Sequence, residues 1–162
     1  MLDQNLTIIE ALGLAVTQEI SAFKRYKLMA GKVSNPLVRE KFLSLAREEK
    51  SHHEMLFKML KSFTGETKPP IPKHAPRFNR QVEADQPLHL LLQTAIQKEQ
   101  EAQSFYRNAA GMALDPTARK IFEYLAEFER GHERALQLEF DAVAKYPQWF
   151  EIEGADIQLL GP

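Results

Sequence analysis

Three residues of the first half of the chain return in the second half at one fixed offset. Glu19, Glu49 and His52 recur as Glu99, Glu129 and His132, 80 positions later in each case (99 − 19, 129 − 49, 132 − 52). Four carboxylates and two imidazoles in two matched sets are a ligand set for two metal ions. Four negative charges balance two divalent cations, and histidine adds a neutral donor at each position.

A single E-x-x-H carries little information. Here two copies sit in register with two further glutamates and with a longer repeat. Ala15, Ala22, Tyr26, Ala30, Gly31, Pro36, Arg39, Phe42, Leu45 and Ala46 return as Ala95, Ala102, Tyr106, Ala110, Gly111, Pro116, Arg119, Phe122, Leu125 and Ala126. The glutamates lie inside apolar stripes of helical period, such as Leu12, Ala15, Glu19, Ala22, Tyr26 and Phe42, Leu45, Glu49, His52. Four ionised carboxylates at one level of a dry core repel one another and carry a large desolvation cost. No Lys or Arg stands on those stripes to neutralise them, whereas two divalent cations would. The flanking alanines leave room for ions and a small oxidant.

Caps and breakers define the elements that must hold these residues. The first helix is expected over roughly 7–30, stopping at Gly31. The second opens at Asn35-Pro36, an N-cap followed by proline in the first turn, and fades before Gly65. The third opens at Pro87. The fourth opens at Asp115-Pro116 and ends before Pro147. Residues 64–86, with Pro69, Pro70, Pro72 and Pro76, read as one extended connection. Glu19 lies 12 residues before Gly31 and Glu49 lies 14 after Asn35. At about 1.5 Å per residue both sit roughly 18–21 Å from the same turn, so in an antiparallel hairpin they are level. His52 follows Glu49 by one turn, on the same face. The second hairpin repeats this. Because the ligand levels fall near mid-helix, a two-fold perpendicular to the bundle superposes them. The long connection then lets the third helix run parallel to the second. A plain up-down-up-down bundle would need no such loop.

The rest of the composition excludes other classes. The 162 residues suit one domain, with 27% charged residues, 7 glycines and a net charge of −1. Mixed charges leave no nucleic-acid footprint. No apolar run is long enough to span a bilayer, and the start shows no basic leader. Without cysteine there is no disulfide, thiolate zinc or iron–sulfur site. A cytoplasmic location is the default expectation.

The doubled pattern E-x-x-A-x-x-x-Y and L-A-x-x-E-x-x-H resembles the ferritin-like superfamily of carboxylate-bridged di-iron proteins, and within it the rubrerythrin family, over roughly residues 10–140. The resemblance implies an all-α, ferritin-like four-helix bundle of two repeated hairpins (residues 1–146) with a long crossover. It implies two iron ions at the centre, bridged by Glu49 and Glu129. Glu19 and Glu99 would be terminal ligands, with His52 and His132 holding one metal each. It also implies a homodimer and an oxidoreductase that reduces hydrogen peroxide or dioxygen with an external electron-donor protein. Rubrerythrins proper carry a rubredoxin domain with Cys-ligated iron, and these 162 residues hold no cysteine to ligate one. They also have a further glutamate where Ala102 stands.

Several readings stay open on the residues alone. Manganese, or a mixed pair, suits the same donors. Ferroxidase or iron storage is one alternative function, and a metal-stabilised, non-enzymatic bundle is another. Tyr26 and Tyr106 either hydrogen-bond ligand carboxylates or donate electrons, or are ordinary core aromatics with a satisfied hydroxyl. His53, His74 and His89 are expected to face solvent. The basic residues Lys68, Lys73, Arg77 and Arg80 make a solvated loop or a docking patch for an acidic redox partner. The tail 147–162, with Trp149, Phe150, Ile152, Ile157, Leu159 and Leu160, is expected to pack on the bundle or on a dimer partner.

Overall fold

The computed structural model describes residues 7–68, 71–73 and 78–150. Its elements are α1 (Ile8–Gly31), α2 (Pro36–Thr64), α3 (Arg80–Ala84), α4 (Leu88–Met112), α5 (Pro116–Lys145) and a 3-10 turn (Pro147–Phe150). The helix starts follow from local chemistry. Thr7 caps α1 in a capping box with Glu10, Asn35 caps α2 ahead of Pro36, and Asp115 caps α5 ahead of Pro116. Gly65 ends α2 in a left-handed conformation with φ of 69°, which a Cβ would strain.

Two apolar clusters give the helix directions. One joins Leu12, Ala15 and Val16 of α1 to Leu56 and Leu60 of α2, Tyr106 and Ala109 of α4, and Phe122 and Leu125 of α5. The other joins Tyr26 and Met29, Val38 and Phe42, Leu91 and Leu92, and Leu136 with Phe150. The start of α1, the ends of α2 and α4 and the start of α5 therefore share one end of the bundle. The end of α1, the starts of α2 and α4 and the end of α5 share the other. Helices α2 and α4 run parallel, and each hairpin is antiparallel. This is the four-helix architecture with a crossover that the repeat predicts. Phe42 and Phe122, 80 residues apart, are both fully buried; each contributes roughly 1.5–3 kcal/mol by leaving water. The six Glu and His residues lie between the two apolar clusters.

The crossover differs from the extended stretch expected. Its last segment folds into α3, where the Asn79 side chain accepts from Val82 N. This segment climbs α1. Phe78 N donates to Ser21 Oγ at 3.2 Å, Arg25 holds Glu83, and Lys32 Nζ donates to the Ala84 carbonyl at 2.6 Å. Composition hid this, because five residues are too few to show a helical period and the fixing contacts lie 52 to 58 positions away.

At the C-terminal side, Ser34 N and Asn35 N both donate to the Phe150 carbonyl, at 2.9 and 3.2 Å. Phe150 is buried and Trp149 partly so, both against the second apolar cluster. Ile152, Ile157, Leu159 and Leu160 lie outside the described residues, as do Pro69, Pro70, Pro76, His74 and Arg77. Lys68, Lys73, Arg80 and His89 are exposed. Among the described residues, no helix is long and apolar enough to cross a membrane.

Candidate metal centre

All six repeated residues converge at mid-bundle, and none is more than 4% exposed. Two groups of potential ligand atoms form there, each within 4.8 Å: Glu19, Glu49, His52 and Glu129, and Glu49, Glu99, Glu129 and His132. Glu49 and Glu129 belong to both groups, while Glu19 and Glu99 each belong to one. The site is a candidate Glu/His dimetal centre. His52 Nδ1 stands 3.3 Å from Glu49, 3.4 Å from Glu19 and 3.8 Å from Glu129. His132 Nδ1 stands 3.0 Å from Glu49 and 3.1 Å from Glu129. The two rings lie nearly parallel with centroids 6.0 Å apart.

The tyrosines swap hairpins. Tyr26 of α1 donates to Glu99 of α4, and Tyr106 of α4 donates to Glu19 of α1. Each hydroxyl is thus hydrogen-bonded to a cluster carboxylate, and both rings are core residues. Burial raises both phenols well above their ordinary range, and the nearby carboxylates push in the same direction.

The electrostatics fit a site built for cations. Burial raises Glu49 and Glu129 well above the usual carboxylate range, and the surrounding glutamates add to it. For Glu19, burial also pushes up, but the adjacent Glu49 and His52 and the hydrogen bond from Tyr106 prevail and lower it. Burial would lower His132, yet its hydrogen bonds to Glu129, Glu48 and Glu49 hold it far above the usual histidine range. Two carboxylate oxygens, Glu19 Oε2 and Glu129 Oε1, are buried without any hydrogen-bond partner among the described residues. Such orphaned acceptors cost about 1–3 kcal/mol each, and a bound cation would satisfy both.

A cavity of about 180 Å³ reaches these carboxylates between α1 and α4. Ala22 and Ala102 line it, as do Phe78 and Glu83 of the crossover. Gln18 Oε1, buried and without a partner among the described residues, lines the same cavity.

Sequence reasoning missed two contributors. Arg25 and Glu83 form a forked ion pair, with Nε–Oε2 and Nη2–Oε1 both 2.9 Å, which pins α3 beside the cavity. Nothing in the spacing marks a pair 58 residues apart. Glu48 meets Nε2 of His132 at 2.6 Å, and that hydrogen bond lowers the Glu48 carboxyl below its ordinary value. Its one sequence signal is a break in the repeat, since position 128 is Phe. His53, expected at the surface, is partly buried, with Nδ1 3.1 Å from the Val16 carbonyl.

The chain matches the rubrerythrin family over residues 10–140, and no curated protein matches it. A Pyrococcus furiosus protein described as hypothetical is 27% identical, with a TM-score of 0.76 over 91% of this chain and 94% of that one. A Rhodobacter capsulatus bacterioferritin with a metal-free dinuclear site and haem iron is 22% identical, with a TM-score of 0.72 over 88% and 89%. A manganese catalase from Anabaena is 18% identical, with a TM-score of 0.68 over 90% and 77%. The last two likenesses establish the ferritin-like fold. A match that runs from the first turn of α1 into the last turns of α5, across every one of the six repeated residues, makes this chain a member of the rubrerythrin family.

Proposed function

We propose that the protein is a non-haem di-iron oxidoreductase that reduces hydrogen peroxide or dioxygen. One observation carries this reading: two buried groups of Glu and His share Glu49 and Glu129 and leave carboxylate oxygens unpartnered. Glu49 and Glu129 would bridge the pair. Glu19 with His52, and Glu99 with His132, would complete the two positions.

When bound, the metal pair supplies two one-electron couples, enough to convert one peroxide and two protons into two waters. The chain supplies the rest. Tyr26 and Tyr106 orient Glu99 and Glu19, each across the hairpin interface. The apolar clusters above and below exclude bulk water from the carboxylate layer. The cavity beside Ala22 and Ala102 is ample for dioxygen or peroxide to reach the carboxylates. A reduced electron-donor protein returns the two electrons after each turnover. The reading places the protein in the cytoplasm as a homodimer.

Manganese is the second reading. The donor set is oxygen-rich and free of sulfur, so it discriminates poorly between the two metals. A manganese pair would convert two peroxides into two waters and dioxygen without a donor. Elemental analysis of the purified protein, followed by peroxide addition to the anaerobically reduced sample, separates the readings. Two irons per chain and a near-ultraviolet absorbance rise within seconds support the di-iron enzyme. Two manganese with sustained oxygen evolution support the alternative. Two metals with no response to peroxide would leave storage or a structural role.

A further inference from the structure

The two hairpins agree at every residue of the carboxylate layer and diverge at the position just before each shared glutamate. Glu48 precedes Glu49, but 80 residues later (128 − 48) Phe128 precedes Glu129. The two-fold relation sets position 48 beside the histidine of α5, and position 128 beside the histidine of α2. The two imidazoles therefore sit in different surroundings. His132 Nδ1 faces the cluster, and its Nε2 lies 2.6 Å from Glu48 Oε2. The His52 ring meets Phe128 edge-on, with centroids 4.8 Å apart, and Tyr124 at 6.2 Å. Among the described residues, every carboxylate that His52 meets is reached through Nδ1.

We infer that the two metal positions are inequivalent, and that Glu48 is the positioning residue that makes the His132 position the tighter one. This rests on the dimetal reading above. A carboxylate that accepts Nε2–H fixes the tautomer with the Nδ1 lone pair free, holds the ring plane and makes the nitrogen a better donor. A phenyl edge does none of these. His52 must find its tautomer and orientation at the moment of binding, and that reduces affinity. Loss of such a supporting partner typically lowers metal affinity by about 10–100-fold. The pair therefore loads in order: first among Glu49, Glu99, Glu129 and His132, then beside His52.

The test is an anaerobic Mn(II) titration of the full, metal-free chain. Heat is recorded by calorimetry, and free Mn(II) by its six-line electron paramagnetic resonance signal. The wild type should bind two ions with constants about 10–100-fold apart. Glu48→Ala, at a position with 42% of its side chain exposed, should fold normally and bring the two constants together at the weaker value. Glu48→Asp should recover some of the gap, and Phe128→Glu should tighten the second step. Two equal constants in the wild type, or an unmoved gap in Glu48→Ala, would overturn the inference. So would a lower melting temperature of the metal-free variant with the gap unchanged, which would make Glu48 merely structural. If the wild type bound no Mn(II) and no Fe(II) under the same conditions, the dimetal reading itself would fail, and this inference with it.

Discussion

The two hairpins repeat each other at the residues of the carboxylate layer and differ in what surrounds that layer. Inside, each tyrosine crosses to the other hairpin's glutamate. Each turn carbonyl is tied by the same arginine, Arg39 Nη2 to Val33 at 2.8 Å and Arg119 Nη2 to Ala113 at 2.9 Å. Outside, the α1–α2 turn is covered by the 3-10 turn, whereas Leu114 in the α4–α5 turn is 95% exposed. Arg25 anchors the crossover, while its counterpart 80 positions on is Phe105. Two-fold identity is thus kept in the carboxylate layer and in the arginine ties of the turns, and is lost in what packs against them. That layer has one geometry to satisfy twice, while each flank has its own neighbour.

The strongest way to test that inner symmetry is to remove one bridging carboxylate. Glu49→Ala and Glu129→Ala should each abolish binding of the metal pair, checked by elemental analysis after anaerobic reconstitution. Either variant retaining two metals per chain with unchanged spectra would refute the bridging roles. The metal-free forms should move the other way. Each loses a carboxyl that burial and its neighbours destabilise, so conservative Glu49→Gln should raise the melting temperature of the metal-free protein.

Metal removal and pH come next in size. In the metal-free fold Glu49 and Glu129 titrate above their ordinary 4.5, and His132 above its ordinary 6.5. A group raised on folding stabilises the fold below its unfolded value and loses that contribution as pH rises through the folded one. Glu19, lowered on folding, contributes above 4.5 and loses its share only as pH falls below that value. The metal-free protein should therefore melt at a lower temperature near pH 8 than near pH 5. Metal binding should release protons, so apparent affinity should rise over the same range. At a free metal concentration of 100 times Kd, each independent site adds about 2.7 kcal/mol. Differential scanning calorimetry with and without Mn(II) reads both effects; a metal-free melting temperature that rises with pH would contradict the raised carboxyls.

Much of this was legible in sequence because the repeat states it twice. The offset of 80 gave the six residues, and the caps at Asn35 and Asp115 gave their common level. The long connection gave the parallel course of α2 and α4. Periodicity could not give pairings between positions that break the repeat. Glu48 against His132 joins α2 to α5, and Arg25 against Glu83 joins α1 to a segment with no period of its own. The half-buried His53 illustrates the same limit: its position follows from a carbonyl 37 residues away, which no helical wheel contains.

The tyrosine pair tests symmetry at a smaller scale. Tyr26→Phe and Tyr106→Phe each remove a buried hydrogen bond to a carboxylate, worth about 1.5–3 kcal/mol. Chemical denaturation should find the two losses equal to within about 0.5 kcal/mol and additive in the double variant, since each bond has its own partner. Unequal losses would mean that the flanking differences reach the inner layer.

The smallest effect separates the two turns. Asp115 is exposed, and among the described residues its side chain accepts only from Ala118 N, at 2.8 Å; Asp115→Ala should cost about 1 kcal/mol, an ordinary N-cap loss. Asn35 is fully buried. It accepts from Leu37 N at 2.9 Å and also donates Nδ2 to the Trp149 carbonyl at 2.7 Å. Asn35→Ala loses the cap and leaves that carbonyl without its donor, so its cost should exceed that of Asp115→Ala by about 1 kcal/mol. Asn35→Asp divides the two contributions. It keeps the cap oxygen but turns the donor into an acceptor facing another acceptor. If Asn35→Asp is as stable as the wild type, the cover over the first turn contributes nothing, and the outer contrast between the hairpins is only one of shape. If it is as unstable as Asn35→Ala, the hydrogen bond to Trp149 is what makes the first turn the firmer end of the bundle.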